Sequence, residues 1–220
     1  MDRALYFQQL YPLQDEVLRL LTSLGTGLYL TGGTAASRGY LSHRFSDDLD
    51  LFANDSEDFP LWADRLVQGL AGDPAWNLKV AQREKRFVRL FVERQKVPLK
   101  IEIVNDVPAH IGEVRLHPVL GRLDSPENIL ANKISALVDR EEPKDLADIW
   151  GFCSRMELSL SVALENSHSK AAGIFPLDVA RLLCTATTQD WELVRWIDAP
   201  EEATFLKELR DLGEALLVEI

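Results

Sequence analysis

Apolar residues recur at helical spacing near the amino terminus, where Leu10, Leu13, Val17, Leu20 and Leu21 predict a helix over residues 4–24 that Gly25 stops. A short apolar run at 27–30 predicts a buried strand ending abruptly at Gly32 and Gly33, and residues 34–41 then read as helical. Residues 48–52 alternate polar and apolar, as a second strand would, and 59–70 form an amphipathic helix. Strand patterns fill 79–104, first around Phe87, Val88, Leu90, Phe91 and Val92, then at Leu99, Ile101 and Ile103, with Pro98 acceptable at a strand start. The pattern changes near Pro118. Beyond it residues 126–139, 143–153, 158–169, 176–183 and 200–218 all read as helices. The expected fold class is therefore α+β: an α/β core over residues 1–122 and a helical lobe over 123–220, with the seam at 121–125. The active cleft is expected between the two, where ligand sites are often found.

Composition narrows the classes. The chain has 220 residues, 46% of them hydrophobic, enough for an ordinary globular core. No apolar run approaches the roughly 20 residues of a membrane span, and the amino terminus lacks the basic-then-apolar layout of a secretion signal. Cys153 and Cys184, the two cysteines, stand far apart, which argues against thiolate metal sites and a disulfide framework. A cytoplasmic protein without membrane association is expected. The net charge of −11 opposes a broad phosphate-binding surface. One basic stretch, with Arg83, Lys85, Arg86, Arg89, Arg94, Lys96 and Lys100 against Glu84 and Glu93, is either a solvated hairpin face or a local contact for nucleic acid or triphosphate.

The chemistry gathers between residues 28 and 52. A strand that ends in two glycines and opens a helix lets backbone N–H groups approach a phosphate closely. Tight turns need glycine anyway, so the acidic strand downstream of the turn carries more weight. Period-two alternation puts Asp48 and Asp50 on one face and sends Leu49 and Leu51 to the core. Two adjacent carboxylates repel unless a cation lies between them, and Mg²⁺ typically combines such oxygens with substrate phosphates. Asp47 falls in the other frame, solvent-facing or supporting. Glu102, flanked by Ile101 and Ile103, could face the same metals from a neighbouring strand and help deprotonate an attacking hydroxyl; it could equally pair with Lys100. Asp106 is the substitute for this third acid.

Ser125, Pro126 and Glu127 make a good helix start, and in that helix Lys133 falls within the apolar arc. Asp145 lies near the apolar side of the next helix. These two either satisfy each other or serve function, Lys133 offsetting charge on a leaving pyrophosphate and Asp145 positioning it. The four histidines show no metal-ligand spacing, and no Walker loop, dinucleotide fingerprint or serine-hydrolase elbow is present.

The run Thr31-Gly32-Gly33-Thr34-Ala35, followed by His43-Arg44-Phe45-Ser46-Asp47-Asp48-Leu49-Asp50, resembles the AbiEii/AbiGii toxin family of the polymerase-β-like nucleotidyltransferase superfamily. Asn132-Lys133 and Lys144-Asp145-Leu146-Ala147-Asp148 resemble that family's helical motifs, so the likeness runs from about residue 28 to 153. It implies a minimal polymerase-β-like mixed sheet with flanking helices, a helical carboxy-terminal lobe, and NTP use with two Mg²⁺ ions, or Mn²⁺ in their place. For several members it also implies transfer onto RNA such as tRNA, as the toxin of a toxin–antitoxin or phage-defence pair with a cognate antitoxin. By position, Gly32, Gly33, Thr34, Arg44 and Ser46 become the nucleotide-binding set and Asp48, Asp50 and Glu102 the metal ligands. Asp48, Asp50, Glu102, Lys133 and Asp145 become the catalytic set. Gly-Gly-Thr stands here where many superfamily members have Gly-Ser, so a hydroxyl contact would come from Thr34. The expected activity is transfer of a nucleoside monophosphate from an NTP to an acceptor hydroxyl. Its rivals are a nucleotidyltransferase acting on an antibiotic-like small molecule, and a retired domain that only binds a nucleotide or a partner.

Overall fold

The computed structural model describes residues 3–169 and 173–218. Two compact units emerge: residues up to Ala35 with Ser46–Asp124, and Ala36–Phe45 with Ser125 onward. The change of unit falls at Asp124 and Ser125. Residues 36–45, expected in the core, go instead with the helical unit.

The first unit is built on a mixed sheet whose strands, among the described residues, run in the order β3-β4-β5-β2-β1-β7-β6. These are β1 (Tyr29–Thr31), β2 (Leu49–Asn54), β3 (Asn77–Arg83), β4 (Phe87–Arg94), β5 (Val97–Asp106), β6 (Arg115–His117) and β7 (Gly121–Leu123). Pairing of β1 with β2 and of β4 with β5 is antiparallel, whereas β2 with β5 and β1 with β7 are parallel. Alternation decides which face is buried. Leu49, Leu51, Leu90, Ile101 and Ile103 are wholly inaccessible, and helices α1 (Tyr11–Ser23) and α2 (Phe59–Ala71) add Val17, Leu18, Leu66 and Leu70 to the same core. Truncating any one of these to Ala would cost about 2–5 kcal/mol. The opposite face keeps Asp50, Arg89, Phe91, Lys100 and Glu102 at least partly accessible.

Helices make up the second unit: α3 (Pro126–Arg140), α4 (Pro143–Trp150), α5 (Leu160–Ser167), α6 (Pro176–Cys184), α7 (Thr188–Leu193) and α8 (Glu202–Val218). Ser125 caps α3 by accepting from the Asn128 N–H, and Pro126 follows as the sequence predicts. Gly213 lets α8 lie close on α6, since a Cβ there would stand 2.9 Å from the Ala180 carbonyl oxygen. Ile129, Ile134, Phe152, Val179, Phe205 and Leu209 fill the core, and Trp150, Trp196 and Phe205 meet edge to face beside it. Segment 36–45 is tied in by backbone bonds, the Phe45 N–H to the Arg195 carbonyl and the Ile197 N–H to the His43 carbonyl.

Three features depart from the sequence reading. The helix expected over 34–41 is a single turn at Gly32–Thr34 that widens into a π-helical stretch at Ala35–Leu41. Strands β6 and β7, and helix α7, were not expected at all. No helix of the described residues is long and apolar enough to cross a membrane.

Candidate active site

The glycine turn and the acid-bearing strand meet in the first unit. Thr31 and Asp50 are register partners, which brings Gly32 against the Asp50 carboxylate. Gly32 has φ +66, and a Cβ at that position would lie 2.1 Å from Asp50 Oδ2. Only glycine meets both demands, the left-handed backbone and the close approach. Asp124 holds the turn from behind: its Oδ2 accepts from the Thr31 hydroxyl at 2.5 Å, its N–H donates to the Leu30 carbonyl, and its Oδ1 lies 2.9 Å from His110 Nε2. Thr34 is fully buried. Its hydroxyl donates to the Asp48 carbonyl at 2.5 Å and lies 2.9 Å from the Ser46 hydroxyl, so both side chains brace the entry to β2. Gln14 holds the same segment by donating to the Ser46 and Asp47 carbonyls, and the Tyr6 hydroxyl donates to Asp47 Oδ1 at 2.6 Å. Asp47 is thus a supporting residue.

Asp50 and Glu102 are register neighbours on β2 and β5 and share the accessible face. Asp48 precedes β2 and reaches the same group through a lysine. Lys100 Nζ lies 2.9 Å from Asp48 Oδ2 and 3.2 Å from Glu102 Oε2. Arg89 grips the other Glu102 oxygen at 2.6 Å. Burial disfavours charge on Glu102, yet Arg89 and Lys100 outweigh it and hold the carboxyl below its ordinary range. For Lys100 burial is likewise the largest influence, and Asp48 and Glu102 overcome it to raise its pKa. Glu102 thus pairs with both Lys100 and Arg89. Asp106 ends β5 and pairs in register with Asn54, two steps beyond Glu102 on the same side of the strand.

Among the described residues no three His, Cys, Asp or Glu side chains converge as a ready metal cage. The donor set still suits a hard divalent ion of the Mg²⁺ type, which needs one or two carboxylates and takes its remaining oxygens from substrate phosphates and water. The Lys100 ammonium lies between Asp48 and Glu102 and offsets their charge. Asp48 and Asp50 fit as holders, whereas Glu102 is already matched by two cations.

The helical unit contains its own charged cluster. Lys133 is buried, 2.9 Å from Asp145 Oδ1 and 2.7 Å from Asp148 Oδ2. Arg140 also donates to Asp145, from Nε and Nη2. Asp148, wholly inaccessible, takes the Arg44 guanidinium in a fork at 2.7 and 2.6 Å and lies 3.0 Å from His43 Nε2. Burial alone would raise the Asp148 pKa; Arg44, Lys133 and His43 together push it well below the carboxylate range. Lys133 stays protonated because Asp148 and Asp145 overcome its burial. His43 goes the other way, its pKa lowered by burial more than the Asp148 bond restores. Its Nδ1 is buried with no hydrogen-bond partner, so a second ring proton would find no acceptor. Sequence reasoning singled out Arg44, Lys133 and Asp145 but gave Asp148, the residue that joins them, no role. Its signal was a second acid on an apolar helix three residues after Asp145. Arg44 commits its guanidinium to Asp148 and to the Phe45 carbonyl.

The basic stretch is largely neutralised within the first unit, with Arg83 on Asp64, Arg86 on Asp55 and Arg94 on Glu16. Two glycines against paired acids are common to many phosphate-handling sites, so the family is decided by the chain as a whole. A family model described as "Nucleotidyl transferase AbiEii toxin, Type IV TA system" matches residues 19–195. The chain belongs to the AbiEii nucleotidyltransferase toxin family. Among curated proteins no sequence matches it. Solved structures share this chain's fold at low identity. A nucleotidyltransferase toxin of Mycobacterium tuberculosis, MenT4, superposes with a TM-score of 0.64 at 19% identity, over 96% of this chain and 83% of that one. A putative nucleotidyltransferase from H. pylori gives 0.62 at 18% identity over 96% of each chain. JHP933 from Helicobacter pylori gives 0.61 at 19%, over 100% of this chain and 94% of the other. The chain is thus an α+β nucleotidyltransferase, as its motifs predict.

Proposed function

We propose that this enzyme moves a nucleoside monophosphate from an NTP onto a hydroxyl of RNA, and that it does so as the toxin of a toxin–antitoxin pair with a cognate antitoxin. The observation that carries this reading is the packing of Gly32 against Asp50, with Asp48 and Glu102 on the same accessible side of the unit. The glycine turn offers N–H groups to phosphate oxygens. Asp48 and Asp50 would hold Mg²⁺, which when bound neutralises charge on the triphosphate. Thr34, Ser46, Gln14 and Tyr6 fix the backbone that presents Asp48. Asp124 fixes the turn. Glu102, matched by Arg89 and Lys100, sets the position of the Lys100 ammonium. In the helical unit, Lys133 is kept charged and oriented by Asp145 and Asp148. In the transfer the acceptor oxygen bonds to the α-phosphorus, the bond to the α–β bridging oxygen breaks, and pyrophosphate leaves with that electron pair. The hydroxyl proton passes to a neighbouring carboxylate or to water.

The test is incubation of the purified protein with each α-labelled NTP, Mg²⁺ and total tRNA, resolved on a denaturing gel. Label entering RNA supports the reading and names the nucleotide; no transfer to RNA from any NTP overturns the acceptor. A second reading, with a small-molecule acceptor, is favoured by one observation: the net charge of −11 and the internal pairing of most of the basic stretch leave little surface for a long polyanion. RNA binding that weakens steeply with salt would decide against it.

A further inference from the structure

A cavity of about 510 Å³ opens within the first unit beside Asp48, lined also by Tyr6, Leu10, Phe91, Lys96 and Pro98. Its size is that of ordinary small-ligand pockets. Gly32 and Gly33, the phosphate-facing turn, do not line it, whereas Asp48 and Lys100 do. The space therefore adjoins the acids without coinciding with the place where a triphosphate would lie.

Two of its residues are unusual. Phe91 is 43% exposed although it lies on the accessible face with Arg89, Lys100 and Glu102, a polar setting for a bare ring. Its alternate neighbours Leu90 and Val92 are buried, so the ring is outside the core by register and not by fraying. Lys96 occupies the tight turn between β4 and β5 with Gln95, at φ 52 for Gln95 and 64 for Lys96. Such two-residue turns are ordinarily made by Asn, Asp or Gly, because a side chain strains this backbone. Strained backbone of this kind clusters where the side chain it presents has a use. Arg83, Arg86, Arg89, Arg94 and Lys100 each meet an acid, while Lys96 and, away from the cavity, Lys85 make no ion pair among the described residues. An unmatched cation on a strained turn, a bare aromatic ring and an acid that serves phosphoryl transfer thus surround one cavity.

We propose that this cavity is the acceptor subsite and that it takes the terminal nucleotide of a single-stranded RNA, the base stacked on Phe91, a phosphate at Lys96 and the free hydroxyl toward Asp48. The proposal rests on the transfer reading and adds to it the group that is modified and the residues that recognise it. Stacking on an aromatic ring is tolerant of base identity, and a single local cation suffices to offset the repulsion of an acidic protein for one phosphate. A polycationic acceptor such as an aminosugar would meet Lys96 with like charge and would leave the Phe91 ring unused.

The experiment measures binding of a 5′-fluorescein-labelled short oligoribonucleotide to the full-length protein by anisotropy, alongside kinetics of labelled-NTP transfer. Phe91→Ala and Lys96→Gln should each weaken oligonucleotide binding and raise KM for RNA by about tenfold, with KM for NTP unchanged. Lys96→Arg should restore binding. Asp48→Asn should bind the oligonucleotide and transfer nothing. Wild-type RNA affinity and KM in both Phe91→Ala and Lys96→Gln would overturn the subsite while leaving the transfer reading in place. Binding that depends on Phe91 and Lys96 in a wild-type protein that transfers no label would uphold the subsite and overturn the transfer reading.

Discussion

Asp148 shows how much one carboxylate can organise. It receives the Arg44 fork, the Lys133 ammonium and the His43 ring in a place that water does not reach. Asp148→Ala would leave two buried cations without their main counter-ion, and a loss of about 3–5 kcal/mol is expected from the urea midpoint. Asp48→Asn should behave in the opposite way, abolishing transfer while the thermal midpoint stays near wild type, because Asp48 is half-exposed and braced through its backbone. His43 provides a pH test. Its folded pKa is lowered, so the unfolded chain takes up the proton first and stability is lost as pH falls below the unfolded value of about 6.5. The drop in urea midpoint between about pH 7 and 5 should therefore be smaller in His43→Gln than in wild type; an equal drop would exclude this contribution. At this scale, strand alternation made Asp48, Asp50 and the buried Leu49 and Leu51 legible, and helical geometry brought Lys133 and Asp145 together. Asp148 was not legible because its decisive partner, Arg44, lies 104 residues away along the chain. Glu102 was legible as a strand-face acid but not as one held by Arg89, since that needs the β4–β5 register.

Among the elements, the glycine turn is the most tightly specified. Gly32→Ala would place a methyl on the Asp50 carboxylate and force a side chain into the left-handed region, at about 1–2 kcal/mol for the backbone alone. We expect at least a tenfold fall in transfer, on the order of 1.4 kcal/mol in the barrier, with near-wild-type far-ultraviolet circular dichroism. Long periodic elements such as α1, α3, α8 and β5 were readable from their apolar spacing. Strands β6 and β7 span three residues each and are too short to establish a period. Helix α7 did carry a signal, since Thr187 and Asp190 form a reciprocal capping box, and it was overlooked for want of an apolar stripe. The widening of the Gly32–Leu41 helix to π geometry has no mark in local propensity.

For the molecule as a whole, ligand linkage is the broadest test. If Mg²⁺–NTP binds only the folded protein, saturation at about a hundred times Kd adds about 2.7 kcal/mol. In a chain of this length that is a rise in Tm of about 5–10 °C. EDTA should abolish the rise, and Asp50→Asn should reduce it; a shift indifferent to both would remove metal from the account of nucleotide binding. The α+β class was legible from the change in periodicity after Pro118. The return of residues 36–45 to the helical unit was not, because it is a matter of partners and not of pattern.

That return has a consequence for synthesis. Arg44 leaves the ribosome long before Asp148, and at about 5–20 residues per second the interval between them is roughly 5–20 seconds. During that time the nascent chain already carries both glycines and both aspartates, but the segment between them has no helical unit to join. The newborn enzyme is held incomplete by the order of its own chain, and a ribosome that stalls before Asp148 releases a product without the buried anchor on which Arg44 and Lys133 depend.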